Sequence, residues 1–346
     1  MIDLQPDLQL STDEAERVLA AWLGGHAMCS RVEPLKGGLV NSVFALEFDR
    51  RPFRAVVKIH GIGGDTFAEE ARALDYLAAE TSCPVPRVHL HDGSGGVIPH
   101  AFLLLENVAG VCLQGLDLEP VERAAIDIEL AGVLSELHRH HGERWGRPGS
   151  PGGGSSWCDV FAARLAEVRA ADGLEARLTH ETLAVVDEAI ALAGPELADA
   201  GRPTLVHGDV WDGILMVERD GAGWRITGLL DPNLQFADVE LELAYLEVFD
   251  NRREAFFGAY TEVHQLRPGY ERRRLFYWLH TALLHVALFD EESFRDFTAR
   301  TAATITGRRA ASRPGNPFGP GIADPLGQPS VSYTHLRAHE TRAFIS

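Results

Sequence analysis

The spacing of apolar positions changes along the chain and divides it. Ser11, Thr12, Asp13 and Glu14 form a capping-box pattern that opens a helix over 11–24. Residues 43–48 and 53–59 are rich in β-branched and aromatic side chains and predict two strands, with a turn at 49–52. Helical spacing returns over 66–80. Thr66 and Glu69 stand at its start, and Phe67, Ala71, Leu74 and Ala78 form the expected buried stripe. Pro84 and Pro86 close it, and a further strand at 101–106 stops at Asn107. Helix, hairpin, helix and strand make a small sheet-based lobe over 1–107.

The second part reads as mostly helical. Residues 120–138 carry apolar positions at Val121, Ala125, Ile128 and Leu137. A Gly/Ser/Pro loop spans 149–156, and helices are expected at 157–170 and 181–197. Strands follow at 204–206 and at 214–217, the latter paired with 224–230. Helices are then expected within 240–263, within 271–290 and near 291–306. This gives a helical lobe over 108–306, an α+β class overall, with no internal repeat. Residues 307–329 are rich in Gly, Pro, Ser and Arg and predict an extended or disordered tail. Residues 330–346 resemble translated sequencing-adapter sequence, so His335 and His339 are set aside as ligands.

Composition narrows the function classes. The 346 residues suffice for two lobes with cores, and 45% hydrophobic with 24% charged residues is a globular balance. With 32 basic and 50 acidic residues the net charge is −18, which excludes nonspecific nucleic-acid binding as a leading function. The same charge either attracts cationic substrates such as amine-bearing sugars or simply keeps the chain soluble. The four cysteines, Cys29, Cys83, Cys112 and Cys158, have no metal-ligand spacing and fit reduced thiols in a cytoplasmic protein. No basic region followed by an apolar run marks a signal peptide, and no uncharged apolar stretch approaches about 18 residues.

The chemistry concentrates at His207, Gly208 and Asp209, which follow an apolar strand. A second carboxylate, Asp231, stands before Pro232 at the end of the next strand pair. Two carboxylates brought together by a hairpin suit phosphoryl transfer. One orients the attacking hydroxyl and accepts its proton, and the other holds Mg²⁺. The alternative is an ordinary pair of turn aspartates. Lys58 lies within an apolar strand, where an ammonium needs an anion. Glu70 on the next helix is the expected partner, with Glu69 serving the cap, and such a pair grips nucleotide phosphates. The alternative for Lys58 alone is a snorkelling edge lysine. Gly37 and Gly38 precede the first hairpin strand and would let backbone N–H groups approach phosphates. Glu106 and Val108, at the end of the last small-lobe strand, would offer backbone groups to an adenine edge.

From about Lys36 to Leu288 the chain resembles the aminoglycoside-phosphotransferase-like superfamily, which has a bilobal protein-kinase-like fold. Within it the resemblance is to the fructosamine kinases. It rests on Trp157, Phe161, Arg164 and Leu165, on Trp211 after His207-Gly208-Asp209, and on Asp231-Pro232. Phe256 to Tyr260, Gly269 to Arg273 and His285 to Phe289 also fit. The resemblance implies ATP- and Mg²⁺-dependent phosphorylation of a sugar hydroxyl on a ketosamine, free or as a glycated amine. It implies Asp209 as base, Asp231 as metal ligand and Lys58 with Glu70 as phosphate clamp. Aminoglycoside, choline or homoserine kinases and a non-catalytic pseudokinase are the alternatives.

One position departs from the pattern. Kinase catalytic loops carry a metal-binding asparagine five residues after the catalytic aspartate, and here that position is Ile214. Either Ile214 replaces the asparagine, or a residue is missing between Gly213 and Ile214. The apolar run from Ile214 to Val217 reads like the strand that normally follows, which favours the deletion. Asp212 is a substitute ligand only if the turn directs it inward. His138, His280 and His285 read as packing residues, and Asp238 and Glu242 as acidic supports of the loop.

Overall fold

The protein is described here by a computed structural model over residues 8–35, 41–60, 67–149, 154–221, 223–249 and 254–308. Gly37, Gly38, Thr66 and nearly all of the expected tail lie outside the described residues.

The first lobe begins with α1 (Thr12–Leu23), closed at its start by the capping box of Ser11 and Glu14. Five antiparallel strands form its sheet in the order β1-β2-β3-β5-β4. They are β1 (Cys29–Leu35), β2 (Ser42–Phe48), β3 (Arg54–His60), β4 (Val88–Asp92) and β5 (Ala101–Glu106). The helix α2 (Ala68–Glu80) lies between β3 and β4 in sequence. Its buried stripe runs Ala71, Leu74 and Leu77, and Ala78 faces solvent instead. Its first-turn Glu70 is fully buried.

The chain leaves the sheet after Glu106 and enters the helical lobe. The short strand β6 (Val111–Cys112) pairs with β8 (Leu215–Asp220), which pairs in turn with β9 (Gly223–Leu229). A second pair joins β7 (Thr204–Val206) to β10 (Gln235–Ala237). Residues 214–217 and 224–230 do pair, but the strand starts at Leu215, one residue later than expected. Helices α3 (Pro120–Leu137), α4 (Trp157–Arg169), α5 (Leu174–Arg177), α6 (His180–Ala191) and α7 (Ala193–Glu196) come before β7. Helices α8 (Val239–Phe249), α9 (Ala255–Val263), α10 (Tyr270–Phe289) and α11 (Glu292–Ile305) come after β10. The single helix expected over 181–197 is thus two, and 240–263 also holds two.

Two of the four apolar positions read over 120–138 face solvent. Val121 is 76% and Ile128 52% exposed, while Ile126, Leu130, Leu134 and Leu137 are buried. Both sets have helical spacing. The second is buried because α3 lies against α9 and β9. One cluster of α4, α6, α10 and α11 side chains around Trp157, Phe276 and Trp278 forms the larger core of this lobe. No described helix is long and apolar enough to cross a membrane.

Candidate active site

Lys58 on β3 is 7% exposed and meets carboxylates from both lobes. Its Nζ donates to Glu70 Oε1 at 2.6 Å and also to Asp231 Oδ1. Burial pulls the ammonium pKa down. Asp231 and then Glu70 outweigh that and hold it above the ordinary lysine value. Glu70 reaches Lys58 because first-turn position 70 of α2 faces the sheet. The cap expected from Thr66 and Glu69 rests on Thr66, which lies outside the described residues; the Glu69 carboxylate pairs with Arg147 of the helical lobe.

Asp231 sits directly after β9 and its following residue Leu230. Its φ is 54°, in the left-handed region that few residues other than glycine, asparagine and aspartate enter. Pro232 follows and rigidifies the exit. The loop that carries Asp209 packs against this segment. Gly208 has φ 85°, and a Cβ there would strike the backbone of Asn233. Glycine therefore permits the close approach that puts Asp209 beside the Asp231 turn.

Glu242 on α8 holds the Asp209 loop by its backbone. It accepts the Gly208 N–H at 2.6 Å and the His207 N–H at 3.3 Å. Its Oε2 also lies 2.7 Å from His138 Nε2, and His138 Nδ1 lies 2.7 Å from Tyr260 Oη. Burial works against the Glu242 charge. The His138 hydrogen bond and charge, with His207 and Gly208, overcome it and keep the carboxyl below the usual glutamate value. The loop support read from Glu242 is therefore visible as two contacts to the loop, with His138 at the end of α3 anchoring the carboxylate. Asp238 turns away and binds Arg267 and Tyr277.

Asp209 itself is buried, and Tyr245 Oη donates to its Oδ1 at 2.5 Å. A narrow pocket beside it is lined by Arg164, Gln235, Tyr245, His280 and Thr281. A wider cavity of about 440 Å³ lies alongside, between Glu69, Arg72 and Tyr76 on one wall and Arg147, Pro232 and Asn233 on the other.

Ile214 ends a single 3₁₀ turn over Asp212–Ile214. Its N–H donates to the Trp211 carbonyl at 3.2 Å, and its own carbonyl accepts the Leu230 N–H at 2.9 Å. Its side chain is 1% exposed and packs in the apolar cluster with Leu215 and Val217. Asp212 is bound by Arg123 of α3 at 2.9 and 3.2 Å. Among the described residues no group of three or more His, Cys, Asp or Glu could hold a metal ion.

Comparison with known proteins decides the lineage. The fructosamine kinase family model matches residues 11–303. The chain belongs to the fructosamine kinase family. It is 29% identical to a "probable ketoamine kinase" of Synechocystis, over 64% of this chain and 73% of that one. A solved structure from Thermobifida fusca, provisionally described as a fructosamine-3-kinase, superposes with a TM-score of 0.67 at 21% identity. The alignment covers 86% of this chain and 100% of that one. A thermostable mutant of aminoglycoside phosphotransferase APH(4)-Ia, in ternary complex with AMP-PNP and hygromycin B, superposes at 0.61 with 18% identity. That match covers 86% of this chain and 99% of the other. The kinase-like bilobal fold and the phosphotransferase class follow from these matches.

Of the residues selected from the sequence, Lys58, Glu70 and Asp231 meet in one ion-pair cluster, and Gly208 brings the Asp209 loop against the segment that follows Asp231. Glu106 ends β5, and its N–H is engaged by the Arg87 carbonyl at 2.9 Å. Val108 packs over Gly228, where a Cβ would come within 2.8 Å of Val108 Cγ1. Gly37 and Gly38 lie outside the described residues. Four pocket residues have no site role in the sequence reading: Gln235 and Tyr245, which it does not single out, Arg164, which enters it only through the family resemblance, and His280, which enters it only as a packing residue. Tyr245 was legible in principle, since Glu242 and Tyr245 are three apart on one face of α8. The sequence reads His280 as a satisfied core or lobe-interface residue, whereas its Nε2 is buried without a hydrogen-bond partner among the described residues.

Proposed function

We propose that this chain phosphorylates a sugar hydroxyl of a fructosamine- or ribulosamine-like ketosamine with ATP. The carrying observation is Asp209, held by Tyr245 at the wall of a polar pocket and by its backbone next to the Lys58–Glu70–Asp231 cluster. In this reading the lobe 1–107 binds the nucleotide and the lobe 108–306 binds the acceptor. Asp209 orients the hydroxyl and accepts its proton. Lys58, steadied by Glu70, grips the phosphates, Gly37 and Gly38 cover them, and backbone groups of Glu106 and Val108 meet the adenine. The ketoamine name of the Synechocystis relative and the AMP-PNP bound by the phosphotransferase neighbour support the two substrates.

Asp231 would hold Mg²⁺ together with nucleotide phosphates and water, as this ion commonly needs one or two carboxylates. Mg²⁺ supplies neutralisation of phosphate charge. The side-chain oxygen expected at position 214 is absent in isoleucine, its carbonyl is taken by Leu230, and Asp212 is held by Arg123. The closed turn at Ile214, with β8 starting at Leu215, favours replacement of the asparagine over a deletion. We therefore expect weak turnover from the chain as written. This is also the one observation favouring the second reading, a nucleotide-binding pseudokinase. An ADP-release screen of the Ile214→Asn variant against fructoselysine, ribuloselysine, kanamycin, choline and homoserine tests the proposal. Turnover restricted to the last three would refute the ketosamine assignment. No ADP release with any acceptor would favour the pseudokinase.

A further inference from the structure

The pocket beside Asp209 contains a charge that the described chain does not answer. Arg164 on α4 is 8% exposed and makes no hydrogen bond or ion pair among the described residues. Its guanidinium carbon lies 5.3 Å from the Trp157 ring centroid. Glu167, one turn along the helix, attracts it without reaching ion-pair distance. Burial, then the charge of Arg147, pulls its pKa down to about 10, so it stays protonated at neutral pH. Arg273 is the instructive contrast. It is 7% exposed and grips Glu240 through two hydrogen bonds of 2.7 Å. An ionised group taken out of water costs several kcal/mol unless an opposite charge compensates it. The fold compensates Arg273 and leaves Arg164 facing the pocket.

Other polar atoms there are also unmatched. Among the described residues His280 Nε2 and Gln235 Oε1 are buried without partners, and both residues line the same pocket. Burial, then the charge of Arg164, pushes His280 down to about 3, so it is neutral and adds no second cation. The pocket is narrow, about 50 Å³, room for a few water-sized groups. A planar carboxylate matches that space and the guanidinium fork better than a sugar ring does.

Building on the ketosamine reading above, we propose that Arg164 binds a carboxylate of the acceptor. The preferred acceptor is then the ketosamine of a free α-amino acid, whose carboxylate lies next to the glycated amine. A glycated lysine side chain within a protein has no carboxylate at that place.

Calorimetric titration of the full chain with N-(1-deoxyfructosyl)glycine and with its neutral amide tests this. The acid should bind at least about tenfold tighter, the scale of one charge-assisted pair. Arg164→Met should reduce the acid to the affinity of the amide and leave the amide unchanged, and Arg164→Lys should recover part of the difference. In an Ile214→Asn background, Arg164→Met should raise KM for the acid while kcat stays within about twofold. Equal binding of acid and amide to the unaltered chain would overturn the inference, even if the Arg164 variants fail to fold. Tighter binding of the amide's 6-phosphate than of the acid would reassign Arg164 to a phosphate and also overturn it. Failure of both ketosamines to bind would overturn the ketosamine reading together with this one.

Discussion

Lys58 of the sheet lobe and Asp231 of the helical lobe form an ion pair across the cleft, while Glu70 holds the same ammonium at 2.6 Å. All three groups are buried. One cation thus compensates two carboxylates, and the cleft geometry depends on it. Removing one partner of a buried pair is costly because the other charge is left without compensation. Lys58→Met should lower unfolding stability by about 3 kcal/mol. It should also weaken ATP binding at least about tenfold. Urea denaturation and nucleotide titration check the two effects separately. A variant with unchanged stability would mean that the two carboxylates are accommodated without the lysine.

Tyr245 acts on Asp209 through one hydrogen bond of 2.5 Å. A net bond of this kind contributes about 1 kcal/mol, somewhat more to a charged acceptor. In an Ile214→Asn background, Tyr245→Phe should therefore reduce kcat by roughly five- to tenfold with little change in KM for ATP. A change confined to the nucleotide KM would place Tyr245 outside the proton-transfer part of the site.

The sequence made the acidic and basic centres of the site legible because each lies where a carboxylate or ammonium is otherwise hard to explain. Lys58 interrupts an apolar strand, and Asp209 and Asp231 end strands. The pocket wall was less legible. Arg164, Gln235 and His280 come from α4, β10 and α10, and only tertiary packing brings them together. In the fold, β2, β3 and β5 were read because they are interior strands with strong apolar runs. Two strands of this sheet were missed, β1 and β4, and they are its two edges; the short β6 and β10 of the helical lobe were missed as well. β1 is mostly exposed and contains Pro34, and β4 is half-buried with two histidines, so neither shows a clear alternation. On α3 the helical spacing at Val121, Ala125, Ile128 and Leu137 locates the helix but not its face, because Ile126, Leu130 and Leu134 have the same spacing and are the ones buried with Leu137.

Acid stability should report the buried histidines. Burial first, then Arg164, lowers His280 from 6.5 to about 3, and burial lowers His207 against the pull of Glu242 and Asp231. The unfolded chain takes up these protons near the ordinary histidine value, while the folded chain resists them. Their contribution is complete above about pH 6.5 and is lost as pH falls, by up to about 1.4 kcal/mol per pH unit for each. Asp238, raised by burial to about 6, works in the opposite direction in this window, since its protonation favours the folded state. The slope must therefore be compared between proteins that share Asp238. His280→Gln should show a shallower loss of urea midpoint between pH 6.5 and 5 than the unaltered chain. Parallel curves would show that His280 takes up its proton in the folded state.

Position 214 is where the proposed chemistry is most exposed to test. The direct measurement is formation of ketosamine phosphate, followed by mass spectrometry with ATP and Mg²⁺, for four proteins. These are the unaltered chain, Ile214→Asn, an insertion of Asn between Gly213 and Ile214, and Ile214→Asn combined with Asp209→Asn. The Ile214→Asn variant should form product at least about tenfold faster than the unaltered chain, in line with the cost of disturbing a metal site. The insertion should gain less, because it lengthens a turn that already closes, and loss of Asp209 should abolish the product. Ketosamine phosphate formed equally with and without Asp209, or by none of the four proteins, would contradict the account.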